Sequence, residues 1–215
     1  MGKAVNKKRA IIFGGSLSEI NPNIFKAITK NDFLVCADAG YKFVVNNGFK
    51  PHLIVGDFDS ANYPDDTDCE IIKLPIHKDD TDLHFAVKTV LERGYKSIIL
   101  TGVTGGRLDH TLASISTLEF LNQNSCEACI WDKNSILYVV SSELTIKKPE
   151  FDCYLSVFAI TPKAKGVFIK GAEYPLENGE IINSFPIGVS NEFKDDEITL
   201  NVKEGLLLVA IVKKN

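Results

Sequence analysis

The chain has 215 residues, 45% of them hydrophobic and 24% charged, enough for the buried core of one large domain or two small ones. A formal net charge of -4 excludes a global positive field for nucleic acid. No stretch reaches the ~18 apolar residues of a membrane span, and the apolar run after Arg9 is far too short for a signal sequence, so a cytoplasmic protein with no nucleic-acid or membrane partner is expected.

In chain order, the first 135 or so residues alternate strands with helices. "RAIIFGG" (9–15) reads as a strand and "NPNIFKAI" as a short helix with Pro22 near its first turn. "DFLVCADAG" (32–40) is a second strand ending at Asp38, and "GYKFVVNNGFKP" a helix closed by Asn47-Gly48. "HLIVGD" (52–57) and "CEIIKLP" (69–75) are the next strands. In "DDTDLHFAVKTVLERG", Leu83, Ala86, Val87, Val90 and Leu91 fall on one helical stripe, with Thr81 or Asp80 as N-cap and Gly94 as stop. "KSIILTG" (96–102) is a strand, followed by a glycine-rich turn. A helix with Leu108, Leu112, Ile115, Leu118 and Leu121 on one side comes next, and then the strand "EACIWD" (127–132). Strands that are continuously apolar and alternate with helices imply a mostly parallel sheet covered on both faces.

Beyond residue 135 the runs "SILYVVS", "ELTIKKP", "YLSVFAI", "GVFIKGAEYPL", "GEIINSF", "EITLNVKEG" and "LLLVAIVK" are short and separated by turn residues. They predict an antiparallel sandwich or barrel. The expected organisation is an α/β domain over residues 1–135 and an all-β sandwich over 136–215. Five scattered cysteines, including the pair Cys126 and Cys129, lack the partners of a zinc site and read as reduced structural thiols.

The acidic residues gather at one edge of this map. Asp38 ends the second strand, Asp57 and Asp59 the third; Asp79, Asp80 and Asp82 open a helix, and Asp109 follows the glycine turn. In an open parallel sheet, ligands bind outside the carboxyl ends of the strands. Carboxylates crowded there repel one another unless a cation sits among them, and Mg²⁺ takes such oxygen ligands together with water and phosphate. Helix capping explains one or two of the acids of "KDDTD" and leaves Asp82 open to a metal role. In "TGVTGGRLDHT" the glycines let backbone N–H groups approach an anion, and Arg107 adds a bidentate donor. A P-loop would need G-K-[ST], which does not follow. Together the two segments describe a polyphosphate clamped by metal on one side and Arg107 on the other.

"ADAG", "GDFDS", "KDDTD" and "TGGRLDH", in this order and followed by "VSNEF" in the β-rich tail, resemble the thiamine pyrophosphokinase family over nearly the whole chain. The resemblance implies a catalytic α/β domain and a C-terminal β-sandwich that binds thiamine and forms a homodimer. It implies transfer of pyrophosphate from ATP to the thiamine hydroxyl, giving thiamine diphosphate and AMP. Mg²⁺ falls to Asp57, Asp59 and Asp82, and thiamine lies between subunits against a Ser-Asn turn, Ser190 and Asn191. Gly105, Gly106 and Arg107, with Lys78, Thr81 and His110, complete the expected binding set. Asp109 and Asp38 are the candidates to accept the hydroxyl proton. Animal members place a tryptophan near thiamine in the C-terminal domain, whereas Trp131 here is in the first, so stacking falls to Phe185 or Phe193. His84 has no assigned function, and His52 and His77 read as structural or exposed.

Two other classes share parts of this pattern. Phosphatases of the haloacid-dehalogenase type carry D-x-D-x-[TV], but Ala61 stands at the last position here. Metal-dependent glycosyltransferases with D-x-D have larger domains. A non-catalytic regulator that binds thiamine or nucleotide is the alternative outside enzymes.

Overall fold

The computed structural model describes residues 8–57, 68–75 and 79–214, and divides into two compact units, Met1–Lys133 and Asn134–Asn215. In the first unit, strands β1 (Arg9–Phe13), β2 (Phe33–Ala37), β3 (Leu53–Gly56), β4 (Glu70–Lys73), β5 (Ser97–Thr101) and β6 (Glu127–Trp131) pair in parallel in the order β6-β5-β1-β2-β3-β4. Ile11, Phe13, Leu34, Cys36 and Ile54 share a core with Ile24 of α1 (Ile24–Ala27) and Val44 of α2 (Gly40–Asn46). The alternate residues Ala10, Ile12, Val35, Leu53 and Val55 are equally buried and point to the opposite face by strand periodicity. Helix α3 (Asp82–Glu92) lies against β1, β2 and β3 and against α4 (Leu108–Gln123), and buries Ala86, Val87 and Val90. Gly48 and Gly94, just past α2 and α3, take positive φ of 80° and 83°, as left-handed helix stops require.

One stripe differs from expectation. Leu108 and Leu112 of α4 are 72% and 56% exposed, and the buried face carries Ser114, Thr117, Leu118 and Leu121. Ser114 and Thr117 are tolerated there because their hydroxyls bond to backbone carbonyls, Ser114 at 2.8 Å to both Val103 and His110, and Thr117 at 2.9 Å to Ala113. His84 explains part of this packing. The Thr117 hydroxyl gives its proton to Ala113, so its oxygen accepts from His84 Nδ1–H at 3.2 Å, and the His84 ring lies against Phe120. His84 is thus a tie between α3 and α4. His52 is likewise structural: its Nδ1 accepts the Leu34 N–H at 3.0 Å.

The second unit is all β: β7 (Ser135–Val140), β8 (Glu143–Lys147), β9 (Cys153–Ala159), β10 (Lys163–Lys170), β11 (Leu176–Ile182), β12 (Gly188–Asn191), β13 (Glu197–Asn201) and β14 (Leu207–Lys213). Its antiparallel runs β12-β9-β14-β7 and β11-β10-β13-β8 enclose one apolar core that includes Leu155, Val157, Val167, Ile198 and Val209. Among the described residues, no helix is long and apolar enough to cross a membrane.

Candidate active site

The strand order places a topological switch between β1 and β5: from β1 the chain moves one way to β2, β3 and β4, then returns to β1's other side. At such a point the loops leaving two adjacent strands separate and open a crevice. A cavity of about 320 Å³ lies there, lined by Gly14, Gly15 and Ser16 after β1 and by Gly102 and Val103 after β5. The two loops are laced together, with Gly14 N–H donating to Thr101 O at 2.8 Å and Ser16 N–H to Gly102 O at 2.9 Å.

Five of the expected residues converge on this cavity: Asp38, Thr81, Asp82, Arg107 and His110. Asp38 directly follows β2 and adopts φ 53°, a left-handed backbone that Asp tolerates better than most residues. Its N–H bonds to Val55 O at 2.8 Å, which fixes the strand end from which the side chain departs. Thr81 is the N-cap of α3, its hydroxyl accepting the His84 N–H at 3.1 Å, and Asp82 opens the helix beside it. The three acids of "KDDTD" therefore separate. Asp79 is exposed, Asp80 is paired with Lys88, which holds its carboxyl below the usual range, and Asp82 faces the cavity.

Other expected residues lie elsewhere. Asp57 follows β3, half-buried, and is not among the lining residues. Asp59 and Lys78 lie outside the described residues. Gly105 and Gly106 are exposed beside the cavity and take φ of 75° and 61°. Among the described residues their N–H groups donate no hydrogen bond, so they are free to meet an anion. Arg107 is already engaged: its Nε and Nη2 donate to Asp109 Oδ1 and Oδ2 at 3.1 and 2.6 Å. This fork lowers the Asp109 carboxyl from its usual range, and Asp109 stands exposed outside the lining of the cavity.

In the second unit, the expected Ser-Asn turn is strand β12, paired with β9 and bulged between Gly188 and Asn191, with Ser190 exposed at φ 61°. Asn191 is engaged by backbone at both ends of its amide. It is buried, its Nδ2 donates to Tyr174 O at 2.7 Å, and its Oδ1 accepts the N–H groups of Tyr174 and Glu192, both at 2.9 Å. Of the two aromatic candidates, Phe193 is buried in the core and Phe185 is 65% exposed.

Sequence reasoning passed over Gly14, Gly15 and Ser16, whose "GGS" after an apolar strand is a legible signal, and Asp132, which carries none.

Fold and cavity define the class: an α/β unit with a cavity at the switch point of its parallel sheet, followed by an all-β unit. Residues 25–130 match the family model "Thiamin pyrophosphokinase, catalytic domain", and residues 141–207 match "Thiamin pyrophosphokinase, vitamin B1 binding domain". A Bacillus subtilis (strain 168) protein named thiamine pyrophosphokinase is 27% identical, over 92% of this chain and 95% of that one. Thiamin pyrophosphokinase 1 of Caenorhabditis elegans is 29% identical over 73% of this chain and 68% of its own. The crystal structure of thiamin pyrophosphokinase from Geobacillus thermodenitrificans matches with a TM-score of 0.85 at 26% identity, covering 96% of this chain and 98% of that one. The chain belongs to the thiamine pyrophosphokinase family.

Proposed function

We propose that the protein transfers the pyrophosphoryl group of ATP to the hydroxyl of thiamine in a Mg²⁺-dependent reaction, releasing AMP. The observation that carries this reading is the convergence of Asp38, Asp82, Thr81, Arg107 and His110 on one cavity in a chain of this family. Displacement at phosphorus needs positioning and charge neutralisation rather than a covalent protein intermediate. The free N–H groups of Gly105 and Gly106 cradle phosphate oxygens at the entrance to α4, and Arg107 exchanges Asp109 for phosphate. Asp38 accepts the proton of the thiamine hydroxyl. It lines the cavity, whereas Asp109 is exposed and is not among the lining residues.

The acidic donors are hard oxygens, which suit Mg²⁺. Among the described residues no three acidic, His or Cys side chains form a cluster for an ion, and Asp59 lies outside those residues. Asp57, Asp59 and Asp82 would hold it, and it would neutralise charge on the phosphate oxygens.

In this reading the enzyme is a cytoplasmic homodimer, with thiamine bound between copies near Ser190. Tyr174, Phe185, Ile187 and Val189 support it as exposed apolar surface around β12. A fully active monomer in sedimentation velocity would remove the dimer from the proposal.

The test is incubation of the full chain with ATP, Mg²⁺ and thiamine. AMP and thiamine diphosphate are expected in equal amounts. Inorganic phosphate without AMP would point to a phosphatase, and ligand binding without turnover to a regulator.

A further inference from the structure

One buried carboxylate gathers most of the N–H groups of the loop after β5. Asp132 follows β6, is 1% exposed and does not line the cavity. Its Oδ1 accepts the Gly102 N–H at 2.6 Å, and its Oδ2 accepts the N–H groups of Val103 at 3.3 Å and Thr104 at 2.8 Å together with the Thr104 hydroxyl. Successive peptide N–H groups converging on one anion form a nest, and here the anion belongs to the protein.

The backbone around Asp132 also holds the segment of residues 19–21, a few residues beyond the lining residues Gly14, Gly15 and Ser16. Its carbonyl accepts Asn21 Nδ2 at 3.3 Å, Lys133 N–H donates to Glu19 O at 2.7 Å, and Ile20 forms a β-bridge with Asp132. The loops leaving β1 and β5 are thus both anchored at one residue beyond the reach of substrate. Burial raises the Asp132 carboxyl above its ordinary range on balance, against the opposing pull of the four hydrogen bonds. Each of those side-chain partners is a donor, so the ionised form is the one they fit.

The clasp also divides the loop's donors. The N–H groups of residues 102 to 104 are used by Asp132, and those of Gly105 and Gly106 donate no hydrogen bond among the described residues. A loop released from Asp132 would turn donors inward and outward in many arrangements, and only one presents the Gly-Gly-Arg segment to a phosphate.

We infer that Asp132 is a positioning residue for the nucleotide, acting through the loop of residues 102–107 and touching neither substrate. The inference rests on the pyrophosphokinase reading above for the identity of the nucleotide.

The test uses the full chain and three variants. Asp132→Asn keeps the volume but sets an amide N–H against a donor. Thr104→Val removes one donor and keeps the shape, and Thr104→Ser restores the hydroxyl. For Asp132→Asn the KM for ATP should rise about tenfold, the equivalent of one lost charged hydrogen bond, while the KM for thiamine stays within about twofold. Thr104→Val should move the ATP KM the same way by about threefold, and Thr104→Ser should return it to the wild-type value. A purely structural residue would lower thermal stability and leave both KM values alone, or shift both together; either result overturns the inference. If Asp132→Asn does not fold, the Thr104 pair decides by the same criterion. Calorimetric titration with ATP alone separates the two readings. A wild-type chain that binds ATP in this titration but makes no AMP when thiamine and Mg²⁺ are added removes the pyrophosphokinase reading, and the Asp132 inference then stands or falls on the ATP affinity of the variants.

Discussion

Gly40, the last residue of "ADAG", is the place where the close packing of this site is most exposed to test. A Cβ there would sit 2.3 Å from Phe13 O, 2.8 Å from Phe13 C and 2.9 Å from Gly14 O, about 1 Å short of the 3.4 Å at which ordinary contact begins. The obstacles are backbone atoms at the end of β1, so no rotamer relieves the clash, and α2 must shift away from the sheet. In Gly40→Ala such overpacking costs about 2–3 kcal/mol, offset by about 0.5–1 kcal/mol of better helix propensity. The net loss of about 2 kcal/mol should lower the melting temperature of the first unit by about 6–10 °C in scanning calorimetry. Because Asp38 stands two residues before the displaced helix start, turnover should fall as well. Gly48→Ala is the control: its φ is +80° and a Cβ there meets nothing within 4 Å, so only backbone strain of about 1–2 kcal/mol applies and activity is retained. A Gly40→Ala protein with wild-type melting temperature and kinetics would refute the close approach and the link from α2 to Asp38.

The ranking of proton acceptors is open to direct comparison. Asp38→Asn, which keeps a residue tolerant of positive φ, should lower kcat by about 10²-fold or more, whereas Asp109→Asn should leave kcat within about tenfold. The reverse order would reassign the base. Acid stability tests a second carboxylate. Asp32, 6% exposed, is pushed upward by burial but held below its ordinary range on balance by Arg9, at 2.8 and 2.6 Å, and by Thr29. A lowered folded value contributes stability above the unfolded pKa and loses it as pH falls through the folded one. The stability gap between wild type and Asp32→Asn should therefore be constant above about pH 5 and shrink below about pH 4. A gap unchanged down to strong acid would mean that Asp32 acts by packing alone.

Residues close in sequence were legible because their physics is local. Apolar periodicity defined the strands and helices, Thr81 and the glycines after α2 and α3 marked helix ends, and the acids of the candidate site were recognisable by standing just after apolar runs. The folded chain decided what depends on partners far away in sequence. The return of β5 to the side of β1 creates the cavity and brings Gly14–Ser16 to face Gly102 and Val103, a neighbourhood no local pattern encodes. The stripe of α4 misled at Leu108 and Leu112 because satisfied hydroxyls of Ser114 and Thr117 face inward instead. Asn191 stood out by its motif alone, and only the fold shows that it also pins backbone, since a buried amide takes whatever polar partners the surrounding strands leave open. Asp132 ended a strand without any motif, and its role exists only because four donors from a loop some thirty residues earlier converge on it. Sequence by itself thus determined the elements and the kinds of chemistry they carry. Tertiary structure decided which carboxylates meet the cavity, which are neutralised by Lys88 or Arg107, and which one binds the loop after β5, because hydrogen bonds and ion pairs are settled by three-dimensional competition among partners.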